Sequence, residues 1–439
     1  MSYIKKYFGT DGIRGKYGEL ITEGLAYRLG NTLGRDAKKI VVGRDTRWHG
    51  EPLSHAFMLG VTDAGCDVIS LGIVTTPAVA YVTKAEKAKY GVVVSASHNP
   101  IEYNGLKIFS TYGAKLTDKE EQAIEICMDG EKYFAKDSGK KISGSVKLEE
   151  YYSVLRTVGG DLTGMRIGLD CANGAVSLSA GAIFRSLGAS VIVSNDVFNG
   201  ENINDGCGAL HPDAIAKTVK DNGLDIGFAF DGDADRIIGS DENGNIINGD
   251  DIIYAVAVEL FKRGKLYGNT AVGTYHTNLG MEKSLNELGI KLVRTDIGDH
   301  FVAEKMREKG YRIGGEQSGH IILGNYSDTG DGLLVALYLA NLVRRNGVNV
   351  SKLLEHETYP QVNYDIITKN NREIVALDEV QKLKLGIERE LEGRGRILLR
   401  ASGTEPKIRI MAECIDTELA KDVADRIRTH IEDIVGRIR

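Results

Sequence analysis

Three times along this chain, short apolar runs alternate with helical patterns, and no other feature of the sequence narrows the possible folds as far. The first series has apolar runs at 39–43, 67–71 and 90–94, with a helix near 52–64. The second has runs at 165–169, 190–193 and 226–230, with helices through 182–187 and from Pro212. The third has a helix over 250–262, runs at 270–273, 291–294 and 311–314, a helix ending at Leu288 and another starting at Asp299. Continuously apolar strands need helices over both faces, so the pattern predicts largely parallel α/β units with a repeated rhythm. The last stretch differs. Alternation over 362–368, a helix over 378–391, strands at 396–400 and 408–412, and a long helix from Thr417 predict a small α+β domain. A chain of 439 residues exceeds one hydrophobic core, and domain segments 1–150, 151–248, 249–365 and 366–439 are expected. The polar, lysine-rich stretch 130–144 reads as a surface linker.

Composition removes several function classes. A net charge of -6 argues against a nucleic-acid binder, which needs a basic field. Lys5 and Lys6 are followed by no apolar run, so no signal peptide is expected. No stretch approaches the ~18 apolar residues of a membrane span. The five cysteines are scattered without Cys-x-x-Cys spacing, which reads as free thiols in a reducing cytoplasm. Glycine is abundant, 53 of 439 residues against an ordinary level of ~7%. The excess implies tight turns and close backbone approaches of the kind phosphate-binding α/β proteins use.

The strongest chemical signal is Asp231-Gly-Asp-Ala-Asp-Arg236. It follows the run 226–230, at a strand's C-terminal end, where open α/β sheets place ligands. Carboxylates at i, i+2 and i+4 converge on one side and suit a hard cation, which also relieves their repulsion. An EF-hand is excluded, because Arg236 stands where that loop requires glycine and a strand precedes it. Mg²⁺ binds through a few carboxylates plus a phosphate and fits better. Ser95-Ala-Ser-His-Asn-Pro100 follows the run 90–94 in the same way, which places Ser97 on a turn at the sheet's edge, exposed enough to react. The Gly-x-Ser-x-Gly elbow of serine hydrolases is missing, and a histidine adjacent in sequence, His98, makes no triad. A serine also serves as a covalent phosphate carrier, with the metal neutralising the phosphate.

Three further motifs suit anions and sugars. In Arg400-Ala-Ser-Gly-Thr-Glu-Pro406, Ser402, Gly403 and Thr404 offer hydroxyls and N–H groups to a phosphate, while Arg400 or Arg409 supplies a bidentate fork. In Gly315-Glu-Gln-Ser-Gly-His320, Glu316 and Ser318 suit sugar hydroxyls and His320 suits proton transfer. Phe8-Gly-Thr-Asp-Gly-Ile-Arg14-Gly15 places an arginine in a glycine-rich turn, and Lys107 follows the serine loop closely.

In this order, these segments resemble the α-D-phosphohexomutase superfamily over nearly the whole chain. The opening Lys6-Tyr-Phe-Gly-Thr-Asp-Gly-Ile-Arg14, Thr329-Gly-Asp-Gly-Leu333, and Gln317 where phosphomannomutase/phosphoglucomutase relatives tend to have Met are most similar to the bacterial glucosamine-phosphate branch. The resemblance implies four domains around one cleft: three similar mixed α/β domains and a C-terminal α+β phosphate-binding domain. It implies a phosphoserine at Ser97, one Mg²⁺ on Asp231, Asp233 and Asp235 completed by that phosphoserine, and Arg14, Lys107 and Arg236 at the transferring phosphate, with His98 and His320 also catalytic. Glu316 and Ser318 would bind the sugar, and Arg400, Ser402, Gly403, Thr404 and Arg409 the distal phosphate. The implied activity is interconversion of glucosamine 6-phosphate and glucosamine 1-phosphate through a hexosamine 1,6-bisphosphate, supplying UDP-N-acetylglucosamine synthesis. The enzyme would be a cytoplasmic isomerase with a phosphosugar substrate, no nucleic-acid or membrane partner, and a homodimer as an allowed assembly. Two positions depart from the pattern: His300 stands where that branch usually has Arg, and Ala401 where relatives often carry Lys or Pro. A phosphomannomutase/phosphoglucomutase is the same-class alternative. A silent phosphosugar sensor has no need of Ser97 together with three metal carboxylates, and a phosphatase would release free phosphate.

Overall fold

In the computed structural model, which describes residues 5–9, 11–402 and 406–438, the apolar runs become strands, and 40–43, 91–94, 167–170, 226–230 and 270–274 are buried throughout. Met1–His276 and Ile290–Glu355 make one compact unit, and Thr277–Gly289 and His356–Arg439 a second. The first unit holds three sheets. A six-stranded sheet, in the order β1-β5-β4-β2-β3-β6, contains β1 Ile13–Lys16, β2 Lys39–Arg44, β3 Asp67–Ile73, β4 Tyr90–Val94, β5 Tyr103–Ser110 and β6 Lys141–Ser143. A five-stranded sheet, β11-β10-β9-β7-β8, contains β7 Arg166–Asp170, β8 Ser190–Ser194, β9 Ile226–Phe230, β10 Ile237–Ser240 and β11 Ile246–Ile247. A four-stranded sheet, β13-β12-β14-β15, contains β12 Thr270–Thr274, β13 Lys291–Thr295, β14 Ile313–Gly315 and β15 Ile321–Leu323.

The sheets are mixed, which corrects the expectation of largely parallel units. Each sheet has a parallel core, and in each a strand then returns antiparallel: β5 beside β4, β10 beside β9, β15 beside β14. The three returns close three hairpins. Their tips are the Ser97 loop, the Asp231–Asp235 loop and the Glu316–His320 loop. The fold thus hangs one chemical motif on the end of each sheet. A second correction concerns 130–144: it ends in β6, an exposed edge strand parallel to β3.

Glycine has a packing role in the first sheet's cover. Helices Glu23–Gly34 and Gly50–Asp63 cross at Gly30 and Gly60. A Cβ on Gly30 would lie 2.1 Å from Phe57 O, and one on Gly60 2.1 Å from Tyr27 O. The bare backbones let Leu29, Leu33, Phe57 and Val61 pack with Ile40, Val68 and Val92 in one core.

The second unit is built on the antiparallel sheet β16-β18-β17, with β16 Gln361–Ile367, β17 Gly395–Ala401 and β18 Lys407–Cys414. Helix Thr417–Ile438 covers it through Ala420, Val423, Ala424, Ile427, Ile431 and Ile434, an i, i+3, i+4 stripe. Helix Leu279–Glu287 also belongs to this unit, where Leu279 N donates to Glu413 Oε1 at 3.2 Å. The three sheets of mixed α/β type and the α+β C-terminal segment agree with the expected fold class. Among the described residues, no helix is long and apolar enough to cross a membrane, and all five cysteines are free thiols.

Candidate active site

Ser97 lies at the end of β4 in a left-handed backbone conformation, φ 53°, that side-chain-bearing residues rarely adopt. It is only 1% exposed. The expectation of an exposed serine is corrected here: the loop after β9 covers it, and Ser97 Oγ donates to Asp231 Oδ2 at 2.6 Å. His98 Nδ1 is 3.2 Å from the same Oγ. Burial, followed by the charges of Arg236 and Arg14, pushes the His98 imidazole down to about 4, so it is neutral near pH 7.

Asp231, Asp233 and Asp235 are all buried, and one carboxylate oxygen from each lies within 4.8 Å of the other two. A tight loop brings them together. Ala234 between them is also left-handed, at φ 56°, and is pinned by Ala234 N donating to Asp231 O at 3.0 Å and by Gly332 N donating to Ala234 O at 3.0 Å. Two of the six carboxylate oxygens, Asp233 Oδ1 and Asp235 Oδ1, are buried without a hydrogen-bond partner. Hard oxygen donors left unsatisfied in a buried triad fit a divalent cation. Burial, reinforced by Asp235 and Asp233, holds the Asp231 carboxyl well above the usual range. Burial also opposes ionisation of Asp235, but the charges of Lys107, His320 and Arg236 overcome it and hold that carboxyl well below its usual range.

Lys107 is the cation inside this cluster. It projects from β5, is buried, and donates to Asp233 Oδ2 at 2.6 Å and Asp235 Oδ2 at 2.8 Å. Thr76, at the start of helix Thr76–Ala85, donates its hydroxyl to Asp233 Oδ2 at 2.5 Å and its N–H to Asp233 O at 2.9 Å. From Lys107 an alternating chain of charge runs outward to Asp11 at 3.3 Å, then Lys115, then Asp299; His320 Nε2, which accepts Gly330 N–H at 3.2 Å, lies 3.3 Å from Asp299 Oδ2. Arg14 pairs with Asp11 and donates to Ala96 O at 3.3 Å, so it flanks the serine loop. Arg236 N donates to Asp231 Oδ1 at 3.1 Å. Glu316 Oε1 accepts from Gly298 N at 3.1 Å, Ser318 is exposed, and His320 is buried with Nδ1 unpartnered. The structure therefore brings Ser97, His98, Arg14, Lys107, Asp231, Asp233, Asp235 and His320 into one network.

Arg400, Ser402 and Arg409 belong to the second unit. Arg400 on β17 pairs directly with Arg409 on β18, so the two start from the same face of the sheet. Ser402 N donates to Lys407 O at 2.9 Å. Gly403 and Thr404 lie outside the described residues. Four residues of the network carried no chemical assignment in the sequence. Asp11 lies inside the Phe8–Gly15 motif, Thr76 begins a Thr-Pro helix start, Asp299 reads only as a helix start, and Lys115 has no local signal.

Four family models match in order: the phosphoglucomutase/phosphomannomutase α/β/α domains I, II and III over residues 5–134, 156–244 and 248–359, and the C-terminal domain over 366–430. A phosphoglucosamine mutase of Anoxybacillus flavithermus is 43% identical, with 98% of this chain and 99% of the relative covered. One from Caldanaerobacter subterraneus is 44% identical, covering 96% and 98%. The chain belongs to the phosphoglucomutase/phosphomannomutase family. The fold agrees with that of a phosphoglucomutase/phosphomannomutase family protein from Burkholderia thailandensis, at TM-score 0.82 and 24% identity with 96% of each chain covered. It also matches an Aspergillus fumigatus N-acetylphosphoglucosamine mutase solved with GlcNAc-6P and magnesium, at TM-score 0.68 and 17% identity over 98% of this chain and 96% of that one. In this family member, the hairpin tips of the first unit and the arginine pair of the second are the motifs that carry the resemblance.

Proposed function

We propose that this family member is an isomerase that interconverts glucosamine 6-phosphate and glucosamine 1-phosphate, the activity for which relatives 41–44% identical are named. One observation carries the chemistry: a buried serine hydroxyl 2.6 Å from the first of three clustered carboxylates, beside a lysine that bridges the other two. Phosphoryl transfer needs a carrier oxygen and concentrated positive charge around it, and little else from the protein.

In the proposed mechanism Ser97 carries the phosphate. A phosphoryl group leaves Ser97 Oγ for the free hydroxyl of the bound sugar phosphate, giving a hexosamine 1,6-bisphosphate. The bond to Oγ breaks as the bond to the sugar oxygen forms, and one proton passes from the sugar hydroxyl to Oγ. The bisphosphate turns over, its other phosphate returns to Ser97, and the isomeric monophosphate departs. Asp231, Asp233 and Asp235 would hold Mg²⁺, whose charge offsets that of the phosphate. Arg14, Lys107 and Arg236 are assigned to the transferring phosphate, and Lys107 also favours the ionised forms of Asp233 and Asp235. His98, neutral beside Oγ, orients the carrier. His320, whose Nε2 accepts Gly330 N–H at 3.2 Å and leaves Nδ1 for the substrate side, is assigned as the proton relay. Glu316 and Ser318 are assigned to the sugar, and Arg400, Ser402, Gly403, Thr404 and Arg409 to the distal phosphate. One phosphate clamp serving both substrate orientations favours contacts to phosphate over contacts to one sugar edge. The proposed domains are 1–150, 151–248, 249–365 and 366–439, in a cytoplasmic enzyme whose free thiols suit that compartment.

The test is a coupled assay of glucosamine, glucose and mannose phosphates side by side. Glucosamine differs from glucose at C2, where an ammonium replaces a hydroxyl. A tolerant site discriminates by only ~1–3 kcal/mol, or roughly 10–200-fold. Higher kcat/KM on glucosamine phosphate, with measurable leakage onto glucose phosphate, is expected. A better kcat/KM on glucose or mannose phosphate contradicts the sugar assignment, and free phosphate without isomer contradicts the mutase.

A further inference from the structure

Behind the Ser97 turn lies a segment that no motif above includes. Asp45, Thr46, Arg47 and His49 follow β2 and are all buried, Arg47 and Asp45 completely. Arg47 donates to three carbonyls of the serine turn: Ser97 O at 3.1 Å, Asn99 O at 2.7 Å and Pro100 O at 2.7 Å. Its Nε is anchored on Asp45 Oδ2 at 3.1 Å. The same carboxylate oxygen accepts Ser95 Oγ at 2.7 Å, and Ser95 Oγ in turn accepts Ser97 N–H at 2.9 Å. The peptide groups on both sides of Ser97 are therefore held by one Asp45–Arg47 clip. Asn204 Nδ2 adds a second donor to Ser97 O at 3.0 Å. Thr46 Oγ1 donates to Asn173 O at 2.6 Å and Trp48 N to Gly200 O at 3.0 Å, so the same segment grips the sheet that carries Asp231.

A residue at φ 53° persists only where its surroundings over-determine it. The clip supplies that constraint. The planar guanidinium, with five donors in a fixed fork, spans three carbonyls and a carboxylate at once, which a lysine ammonium does not. Relaxation of Ser97 to an ordinary φ would swing its Cα–Cβ bond and carry Oγ away from Asp231.

We propose that Arg47, anchored by Asp45 and coupled through Ser95, is a positioning residue that locks Ser97 in the left-handed conformation aiming its Oγ at the Asp231–Asp235 cluster. This inference rests on the reading of Ser97 as the phosphate carrier. Arg47 acts through Ser97 and not through the sugar, so its loss slows phosphoryl transfer and spares substrate affinity. A merely structural ion pair would lower the melting temperature and leave the folded enzyme's turnover intact.

The experiment compares Arg47→Lys, Ser95→Ala and Ser97→Ala with the parent enzyme. It measures melting temperature, KM, kcat, and the single-turnover rate at which phosphate appears on Ser97 from a hexosamine 1,6-bisphosphate, followed by intact mass. Misplacing a reacting atom by 1 Å costs on the order of 10²-fold in rate. Arg47→Lys is expected to lose roughly 10²-fold in kcat and in the single-turnover rate, with KM changed by less than about twofold. Ser95→Ala keeps the Arg47 fork and should lose roughly tenfold in the same two quantities. Parental rates in the folded variants, or a raised KM at unchanged kcat, overturn the inference. If Arg47→Lys does not fold, Ser95→Ala decides by the same criteria. Parental turnover by Ser97→Ala removes the carrier reading itself, a result distinct from either.

Discussion

Asp233 meets two demands with one carboxylate. Its Oδ2 is taken by Lys107 and Thr76, while its Oδ1 is buried without a partner. Burial and Asp235 both raise the pKa of this carboxyl, but Lys107, through charge and hydrogen bond, brings it below its usual value. Asp233→Asn keeps the shape and removes one charge in three. Mg²⁺ affinity, read from titrations of turnover and of melting temperature, should fall by at least about 10–100-fold, the scale for losing only a residue that supports a metal ligand. Unchanged titrations would mean that the cluster is not the metal site. The aspartate cluster was legible in the sequence because all three residues share one loop. Ser97 was legible as to place but not burial, since what covers it comes from residues more than a hundred positions away. Lys115, between Asp11 and Asp299, had no local signal because both partners are remote in sequence.

Elements were legible where one periodicity dominates. The strands at 39–44, 67–73, 90–94 and 226–230 and the helix from Thr417 read directly from their apolar patterns. The antiparallel returns did not. β5 carries Asn104, Gly105 and Lys107 within a buried strand, and a buried lysine breaks the apolar signature that identifies a core strand. The Gly30–Gly60 crossing was legible only as a surplus of glycine. Gly60→Ala should lower stability by about 1–3 kcal/mol through overpacking against Tyr27 O, measured by denaturant unfolding, and no loss would mean that the two helices separate freely. Helix Gly332–Asn346 offers a pH test. Asp331 caps it by accepting Leu334 N at 3.0 Å, and also accepts Tyr151 Oη at 2.9 Å. Burial raises the Asp331 carboxyl to about 6, above its ordinary value of 3.8. The folded protein therefore favours the protonated form, and this stability is present below the ordinary value and lost as pH rises through about 6. Asp331→Asn should be more stable than the parent at pH 8 by roughly 3 kcal/mol, with the gain shrinking toward pH 4. A gain independent of pH would contradict this.

At the scale of the molecule, three sheets of similar plan each end one hairpin in a piece of the same network. The serine comes from the first, the carboxylates from the second, and His320 from the third. The alternation of strands and helices revealed the sheets, and the motifs revealed their tips. The charged chain from Asp235 through Lys107, Asp11 and Lys115 to Asp299, with His320 beside its end, emerges only when the three sheets are assembled. The account turns on Ser97 as a group carrier, and a carrier hydroxyl has no substitute. The most direct measurement is intact mass together with turnover for the parent and Ser97→Ala, after incubation with hexosamine 1,6-bisphosphate and Mg²⁺. The account predicts one phosphate on the parent, none on Ser97→Ala, a normal melting temperature for the variant and essentially no isomerisation by it. Near-parental turnover by Ser97→Ala, or phosphate carried at another residue, would contradict it.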